Sequence, residues 1–309
     1  MDRVDGVERG SLLTGRPHLV PRLLLLAAVV IWGCTFVATK ICLAYVSPLE
    51  LLGLRLAIGL PVLLGLVLAT RARLDLRGSY GSWLVSSALI GVHFYIQITG
   101  IEQTTATRSG WIIGVTPVVM AALAALLLRE PVRRGLVAGI VVATAGLLLL
   151  VSNGRIGELE WLRSTGDWLV FASAHTWALY TIAVRDLARG RSVLAVTTAV
   201  LLPATVVCTG AVAWTSDLAS FARLPTDAVV SLLFLGVAGM AVAQWFWQHG
   251  VAAVGAAEAG TFLYLEPLST TALAVPYLGE PCGAFTIVGG LLVLTGVWVS
   301  QRRGQPRSA

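Results

Sequence analysis

The sequence predicts an all-α membrane protein of ten transmembrane helices, arranged as two inverted five-helix repeats with both termini in the cytoplasm. Three observations predict this fold: an apolar composition, the spacing of the apolar segments and an internal repeat. Of the 309 residues, 57% are hydrophobic and only 12% are charged, and the mean hydropathy is +0.83. A soluble domain carries roughly 25% charged residues, so this chain has too few charges to cover a globular surface and must present apolar surface to lipid.

Ten segments are apolar and long enough to cross a bilayer as helices, which takes about 20 residues. They are 22–43, 48–69, 82–101, 107–128, 135–152, 167–185, 192–213, 227–248, 255–276 and 281–300. The connectors between them are short, so no gap holds a soluble domain. The first segment is too long for a signal peptide, and we expect it to stay as the first membrane helix.

The positions of the arginines predict the orientation, because cytoplasmic loops are enriched in Lys and Arg. With the N-terminus in the cytoplasm, sixteen arginines fall in the cytoplasmic tails and loops and four in the loops on the opposite side. Those four are Arg108, Arg155, Arg163 and Arg223. The polar tails, residues 1–21 and 301–309, are therefore expected in the cytoplasm.

The chain repeats itself at a shift of about 150 residues. Residues 100–150 and 250–300 share twelve identities in 51 positions without a gap, including Pro117 with Pro267 and Glu130 with Glu280. Helices one and six align at a shift of 145, which places Trp32 on Trp177 and Lys40 on Arg185. We expect one repeat over residues 22–152 and a second over 167–300. A repeat of five helices reverses the second copy in the membrane, as in many secondary transporters.

Two prolines predict interrupted helices near the middle of the bilayer. Pro117 lies in helix four and Pro267 in helix nine, and each removes a backbone donor. Such a break is tolerated only where protein or a water-filled cavity surrounds it. The preceding residues are Thr116 and Glu266, and the Glu266 carboxyl is expensive at this depth, so we expect it to face the interior. It would contact a substrate amine, carry a proton or, alternatively, bond a neighbouring helix as part of the scaffold.

Further polar and aromatic residues lie on the helices expected around that point. The candidate substrate-binding residues are His93 and Gln97 on helix three, Thr116 on helix four, His175, Trp177 and Tyr180 on helix six, Gln244 and Trp245 on helix eight, and Glu266 on helix nine. They suit a cavity for a small amphipathic solute, in which aromatic walls supply contact and amides fix orientation. The alternative is that they form interhelical hydrogen bonds or lie at the headgroup level.

Other charged residues have structural interpretations. Glu130 and Glu280 precede helices and suit the positive end of a helix dipole, and Thr116 can bond its own helix backbone. Lys40 and Arg55 lie towards helix ends, and we expect them to reach the membrane interface rather than to act as a gate. The sequence has no nucleotide-binding P-loop and no hydrolase or metal-binding motif, so no catalytic residue, cofactor or metal is expected.

The order and spacing of several short motifs resemble the ten-helix EamA branch of the drug/metabolite transporter superfamily over residues 22–300. The matching residues are Trp32-Gly33, Phe36, Lys40, Pro48, Arg55, Ala106, Ser109, Pro117, Arg129-Glu130, Gly139, Gly146, Trp177-Ala178, Tyr180, Arg185, Leu265-Glu266-Pro267, Gly279-Glu280 and Gly289-Gly290. The Leu-Glu-Pro motif is family-wide, which favours a scaffold or general role for Glu266. One departure is Arg129, where the family often has glycine.

The resemblance implies secondary transport of small metabolites, commonly export of amino acids or related compounds, through a cavity between the two halves. We expect a carrier of the bacterial inner membrane that works by alternating access around a cavity lined by helices one, three, four, six, eight and nine. With no ATP-binding motif, it would be driven by a proton gradient or by the solute's own gradient. An uncoupled uniporter or channel and a non-transporting membrane enzyme or subunit remain alternatives. The expected partners are a small-molecule substrate and the lipid bilayer, not nucleic acid, and a homodimer is left open.

Overall fold

A computed structural model describes residues 19–73, 75–130, 132–152, 164–279 and 283–301. Within these ranges the chain is helical and contains no β-strand. The α-helices are α1 Leu19–Cys42, α2 Pro48–Thr70, α3 Tyr80–Glu102, α4 Ala106–Ile113, α5 Thr116–Leu127, α6 Arg134–Ser152, α7 Thr165–Leu187, α8 Val193–Thr215, α9 Thr226–Leu233, α10 Ala243–Val254, α11 Ala256–Gly260, α12 Glu266–Leu278 and α13 Ala284–Gln301. A π-helical segment, Phe234–Val242, joins α9 to α10, and 3₁₀ turns cover Leu218–Arg223 and Thr261–Leu265.

Among the described residues, six helices are long and apolar enough to cross a membrane. They are α1, α2, α3, α8 and the composite segments Ala106–Leu127 and Thr226–Val254. Shorter apolar helices cover Arg134–Leu149 and Ile287–Ser300. These helices confirm a multi-pass, all-α membrane protein. The predicted segments 167–185 and 255–276 are also helical, within α7 and across α11 to α12, but they carry more polar residues.

The two interrupted helices break just before their prolines. α4 ends at Ile113 and α5 begins at Thr116, so that Pro117 lies in the first turn of α5. Proline at this position lacks an N–H that the helix start leaves unpaired in any case. The Thr116 hydroxyl donates to the Ile113 carbonyl at 2.5 Å, which is the carbonyl that the missing Pro117 N–H would otherwise have paired. Pro267 lies likewise in the first turn of α12, after the 3₁₀ turn.

The turns before helices five and ten have the same backbone conformation. Arg129 has a φ of 53° and Gly279, its counterpart at a shift of 150, has a φ of 67°. The left-handed region costs a residue with a Cβ roughly 1 kcal/mol more than it costs glycine. Arg129 therefore occupies a backbone position that glycine, the residue the family often has there, adopts at lower cost.

The π-helical segment was not predicted from the sequence. Its wider turn pairs the Ala243 N–H with the Ala238 carbonyl, five residues earlier. The Gly239 carbonyl, which an α-helix would pair with Ala243, instead accepts the Trp32 indole N–H at 3.0 Å. The π turn thus joins α1 to the α9–α10 segment through a buried hydrogen bond, and π turns inside helices frequently mark functional sites.

Helices α6 and α13 cross with almost no side chain between them. A Cβ added to Gly139 would lie 2.6 Å from the Gly296 carbonyl, and one added to Gly146 would lie 2.7 Å from the Gly289 carbonyl. The contacts are reciprocal, because Gly139 corresponds to Gly289 and Gly146 to Gly296 in the repeat. Small residues let membrane helices pack at backbone distance where no hydrophobic driving force brings them together.

Replacing Gly296 with alanine is expected to destabilise the protein, because the added Cβ would lie 2.6 Å from the Gly139 carbonyl. Overpacking of this kind costs about 1–3 kcal/mol, which corresponds to a fall of roughly 2–10 °C in Tm. Thermal unfolding of the detergent-solubilised protein measures it. The matched control is Gly210→Ala, since a Cβ there meets nothing within 4 Å. Equal Tm values for the two variants would contradict this packing.

Candidate functional site

A narrow cavity lies inside the bundle where the two interrupted helices meet α1, α2, α3 and α7. Its lining residues are Trp32, Thr35, Phe36 and Thr39 of α1, Arg55 of α2, His93, Phe94, Gln97 and Ile101 of α3, Ile113 of α4, Thr116 of α5, Trp177 of α7, Leu263 of the 3₁₀ turn and Glu266 of α12. It leaves about 30 Å³ for the centres of water-sized molecules, which is room for a few waters but not for a metabolite.

Five of the nine candidate residues line this cavity: His93, Gln97, Thr116, Trp177 and Glu266. They come from α3, α5, α7 and α12. The helices around the cavity also differ in two respects from the expected set. Helix two contributes a lining residue, whereas helix eight, residues 226–254, contributes none.

Glu266 begins α12 at the point where the 3₁₀ turn ends. Its side chain is buried, with 7% of its surface exposed, and no cation of the described residues forms an ion pair with it. The N-terminal end of α12 offsets part of the cost of a negative charge there. A carboxyl group placed this way is available to a solute cation or to a proton.

His93 is held by the helix opposite. Its Nδ1 lies 2.9 Å from the Ser173 carbonyl and 3.4 Å from the Thr176 hydroxyl, both on α7. Its ring also packs 5.0 Å from the Trp177 ring. The histidine therefore joins α3 to α7, and its other face contributes to the cavity wall.

Trp32 and Trp177 form the aromatic wall of the cavity, and Trp247 packs behind them. The rings of Trp32 and Trp177 meet edge to face with their centroids 4.8 Å apart, and Trp247 packs 5.4 Å from Trp32. Trp32 and Trp177 align in the predicted repeat, so this contact joins corresponding positions of the two predicted halves. The Trp177 indole N–H is buried without a hydrogen-bond partner among the described residues. A buried donor without a partner costs about 1–3 kcal/mol, so a solute atom that accepts its bond would restore that free energy.

The other four candidates lie outside the lining. The Gln244 amide donates to the Tyr180 hydroxyl at 2.5 Å, and this buried pair joins α10 to α7 beside the tryptophans. His175 contacts the Phe171 carbonyl of its own helix at 2.9 Å. Trp245 is half-buried and packs against its neighbours Phe246 and His249. Of these four, Gln244 and Tyr180 form an interhelical hydrogen bond, whereas the contacts of His175 and Trp245 given above lie within their own helices. A role of these four residues in substrate binding stays a prediction.

Arg55 is a cavity residue that the sequence interpretation placed elsewhere. We expected it at the membrane interface, but only 3% of its surface is exposed and its guanidinium lies 4.8 Å above the Phe94 ring. The reason is close packing of α2: a Cβ on Gly53 or Gly59 would lie within 2.7 Å of α8 or of the π segment. Lys40 donates to the exposed Glu102 carbonyl at 3.1 Å, and its position at the membrane interface stays a prediction.

Ion pairs join elements of the predicted first repeat to elements of the second at both ends of the bundle. At one end, Arg22 of α1 pairs with Glu258 of α11 at 2.6 Å, and Glu130 pairs with Arg185 of α7 at 2.5 Å. At the other end, Arg108 of α4 pairs with Asp167 of α7 at 2.8 Å. The two ends lie roughly 27 Å apart, the rise over the 18 residues of α7 between Asp167 and Arg185.

Glu130 does bond a helix start, as predicted, but not that of the helix it precedes. Its carboxylate accepts from the Ala256 and Ala257 backbone N–H groups at 3.2 and 3.1 Å, at the start of α11. Gly255, with a φ of 94°, allows this close approach. The predicted role of Glu280 lies outside the described residues. A second cavity of about 260 Å³ reaches Glu130, Arg185 and Glu258 from this end of the bundle.

The apolar helices and the internal polar cavity define a multi-pass membrane protein. The EamA-like transporter family matches the chain twice, over residues 21–152 and 164–301. The chain belongs to the EamA-like transporter family, as its motifs indicated.

Several relatives and one structure are similar along most of the chain. "Uncharacterized transporter YyaM" of Bacillus subtilis strain 168 is 26% identical over 285 residues, which cover 91% of this chain and 93% of the relative. "Probable terminal-alkyne amino-acid exporter" of Streptantibioticus cattleyicolor is 28% identical over 212 residues, or 68% and 69% of the two chains. A crystal structure with 18% identity superposes with a TM-score of 0.73 over 91% of this chain and 97% of its own, and this similarity shows the fold alone.

Replacing Tyr180 with phenylalanine is expected to lower stability, because it leaves the buried Gln244 amide without its hydroxyl partner. An unsatisfied buried donor costs about 1–3 kcal/mol, so Tm should fall by roughly 2–10 °C. Tyr95→Phe is the control, since Tyr95 on α3 is exposed. If both variants unfold at the temperature of the parent protein, the Tyr180–Gln244 bond does not support the fold.

Proposed function

We propose that this protein is a secondary transporter that exports amino acids or related amphipathic solutes across the bacterial inner membrane by alternating access. It would cross the membrane ten times, with both tails in the cytoplasm and two inverted five-helix halves around the central cavity. Its partners would be the solute and the lipid bilayer.

The observation that carries this proposal is the cavity at the two helix breaks. A buried carboxyl group, Glu266, faces a wall of aromatic side chains in a space with no ion-pair partner for it among the described residues. Binding sites of secondary transporters are typically formed by interrupted helices at the interface of two repeats. An ammonium group on an apolar body complements a carboxylate beside aromatic rings.

The size of the cavity supports alternating access over a channel. A cavity that holds only a few waters is too small for an amino acid, and it does not form a continuous pore. The ion pairs at both ends of the bundle close it further. Entry of a solute then requires that elements of the two halves move apart at one end, as in transporters whose repeats rock around a fixed site.

Three features support two inverted halves. The glycine contacts of α6 and α13 are reciprocal, Trp32 meets its counterpart Trp177, and the family matches each half of the chain once. Reciprocal contacts of equivalent residues are typical of elements related by a twofold axis. The arginine distribution supports a cytoplasmic location of both tails.

Export of amino acids is supported by the name of the relative from Streptantibioticus cattleyicolor, a probable exporter of amino acids that carry a terminal alkyne. Glu266 would serve as the coupling group, exchanging a proton for the solute ammonium. The negative charge would be paired in each state of such a cycle, which is what a carboxylate at this depth requires.

Inside-out vesicles whose membranes contain this protein are expected to accumulate at least one labelled amino acid from a panel. The panel includes aromatic and small neutral amino acids. A protonophore should abolish the accumulation, and Glu266→Gln should reduce it by roughly 100-fold, as for the loss of a general proton-transfer group. Glu102→Gln, on the exposed end of α3, is the matched control and should transport normally.

Saturable flux that ignores the protonophore and the Glu266→Gln change would identify a uniporter and overturn the coupling role. No flux of any amino acid above empty vesicles, with the protein present and folded, would overturn the proposed substrate class.

A further inference from the structure

We propose that Arg55 is the anion-binding residue of the cavity, so that this transporter selects solutes that carry a carboxylate as well as an ammonium group. The inference rests on the proposed function and extends it to the second charge of the solute. It follows from the position of Arg55 and from the absence of a counter-ion for it among the described residues. It also follows from the presence of Arg55 and Glu266 in one cavity without an ion pair between them.

The position of Arg55 is fixed by its own helix. Gly59 lies one turn further along α2 and packs against the π segment, where a Cβ would meet the Gly236 carbonyl at 2.7 Å. This close contact between the backbones of α2 and the π segment directs the face of α2 that carries Arg55 towards the interior of the bundle. The guanidinium lies over the Phe94 ring, 4.8 Å from its centroid. Its planar group is therefore held in one place before any solute arrives.

The charge of Arg55 has no counter-ion in the part of the chain that the structure describes. None of the carboxylates of the described residues forms an ion pair with it, and its Nε is buried without a hydrogen-bond partner. Arginine does not lose its proton in proteins, so the charge cannot be avoided by titration. Contact with an aromatic ring offsets only part of the desolvation cost of a buried cation. Buried, unpaired charges in membrane proteins therefore point to a ligand.

Arg55 and Glu266 line the same cavity without pairing with each other. The Trp177 indole N–H, also without a partner, adds a second donor to the lining. A guanidinium favours carboxylates because its N–H groups match both oxygens. A zwitterion would satisfy Arg55 with its carboxylate and Glu266 with its ammonium, and its side chain would contact the tryptophans. An amine without a carboxylate would leave Arg55 unpaired.

The test compares solutes with and without the carboxylate. L-phenylalanine and L-alanine, each against its own amide, are offered to inside-out vesicles that contain the parent protein, Arg55→Gln or Arg189→Gln. The parent should transport the acids with a KM roughly 10–100-fold below that of the amides, as expected for a charge-assisted bond. Arg55→Gln should remove this preference by raising the KM of the acids, whereas Arg189→Gln, which changes an exposed arginine, should keep it.

A second measurement tests Arg55 without any transport. Because Arg55→Gln removes a buried unpaired charge, it should leave the Tm of the solute-free protein unchanged or raise it by roughly 2 °C or more. A lower Tm would show that Arg55 has a structural role and would overturn the proposal. Flux of amino acids with no preference for acid over amide would also overturn it while leaving the proposed function intact. Failure of the proposed function alone would appear as no flux in the parent, with the Tm result still deciding on Arg55.

A second inference is carried independently by the ion pairs at the two ends of the bundle. We infer that Arg22–Glu258 and Arg108–Asp167 are the two locks of the alternating-access cycle, one for each side of the membrane. Each pair joins an element of one half to an element of the other. It rests on the proposed function, because a lock has a role only if the halves separate.

The two locks are equivalent positions with the charges exchanged. A shift of 150 places Arg108 on Glu258, and a shift of 145 places Arg22 on Asp167. Helix one of the first half thus pairs with helix nine, and helix six of the second half pairs with helix four, at opposite ends. Random surface pairs would have no reason to recur at matching positions with inverted sign. In the proposed orientation the Arg22–Glu258 lock faces the cytoplasm.

The locks are tested by access to the cavity. In a chain whose four native cysteines are replaced by alanine, Thr39→Cys places a thiol in the cavity lining, where Thr39 is buried. A membrane-impermeant methanethiosulfonate reagent is then added to right-side-out or inside-out vesicles. Glu258→Gln should speed labelling about fivefold from the cytoplasmic side only, as for the loss of one partly exposed ion pair. Arg108→Gln should speed labelling by more than that from the outer side only, because it removes a partner of the buried Asp167 carboxylate.

Exchange of the two charges, Arg22→Glu with Glu258→Arg, should lower the rate again towards that of the parent. The control is Arg189→Gln, which breaks an ion pair within one segment, Arg189 with Asp186. Rates that stay within twofold of the parent, or that rise equally from both sides, would overturn the locks. If the cysteine-free chain does not insert, hydrogen exchange at residues 104–113 in the native chain with Arg108→Gln reads the same opening.

Discussion

Within a hydrocarbon layer, every backbone N–H and C=O group must find its partner inside the protein. This constraint explains where the helices of this protein are interrupted and what surrounds each interruption. At the break before Pro117, the Thr116 hydroxyl donates a hydrogen bond to the Ile113 carbonyl. At the π turn, the Trp32 indole N–H donates to the Gly239 carbonyl. Both irregular points face the interior, next to one cavity. At these two departures from regular helix, the protein itself supplies the hydrogen-bond partner that water would supply elsewhere.

The same constraint divides the molecule into rigid and separable contacts. α6 and α13 meet at backbone distance through Gly139, Gly146 and their counterparts, and such packing leaves no room for sliding. Gly59 of α2 and Gly100 of α3 also pack at backbone distance, against the Gly236 and Gly166 carbonyls. At one end of the bundle, Arg22 pairs with Glu258 through partly exposed side chains, which water can replace at little cost. At the other end Asp167 is buried in its pair with Arg108, so that pair costs more to break. The proposed opening at either end of the bundle would have to break the ion pair there.

The centre of the bundle contains two buried ionisable side chains that lower the stability of the fold and that the scaffold does not need. Glu266 and Arg55 are both buried, both line the cavity and neither has an ion-pair partner among the described residues. A buried charge without a partner is destabilising. In the solute-free state of the proposed cycle a proton neutralises Glu266, whereas Arg55 keeps its charge, so the packing of α2 must outweigh that cost. A zwitterionic solute would pair with both groups, and this links the stability of the protein to its proposed substrate.

The sequence by itself determined the helical membrane fold, the family and the positions of the helix breaks, because apolar length, proline and motif spacing are local properties of the chain. It also predicted that the Glu266 side chain faces the interior, since a carboxyl group in an apolar helix is costly to expose to lipid. Only the tertiary structure decided that Arg55 lies in the cavity, that Tyr180 and Gln244 pair beside it, and that Glu130 holds the start of α11. The physical reason is that a helix such as α2 is apolar on every side. Its periodicity therefore does not indicate which face meets lipid and which meets protein, and that choice depends on neighbours far away in the sequence.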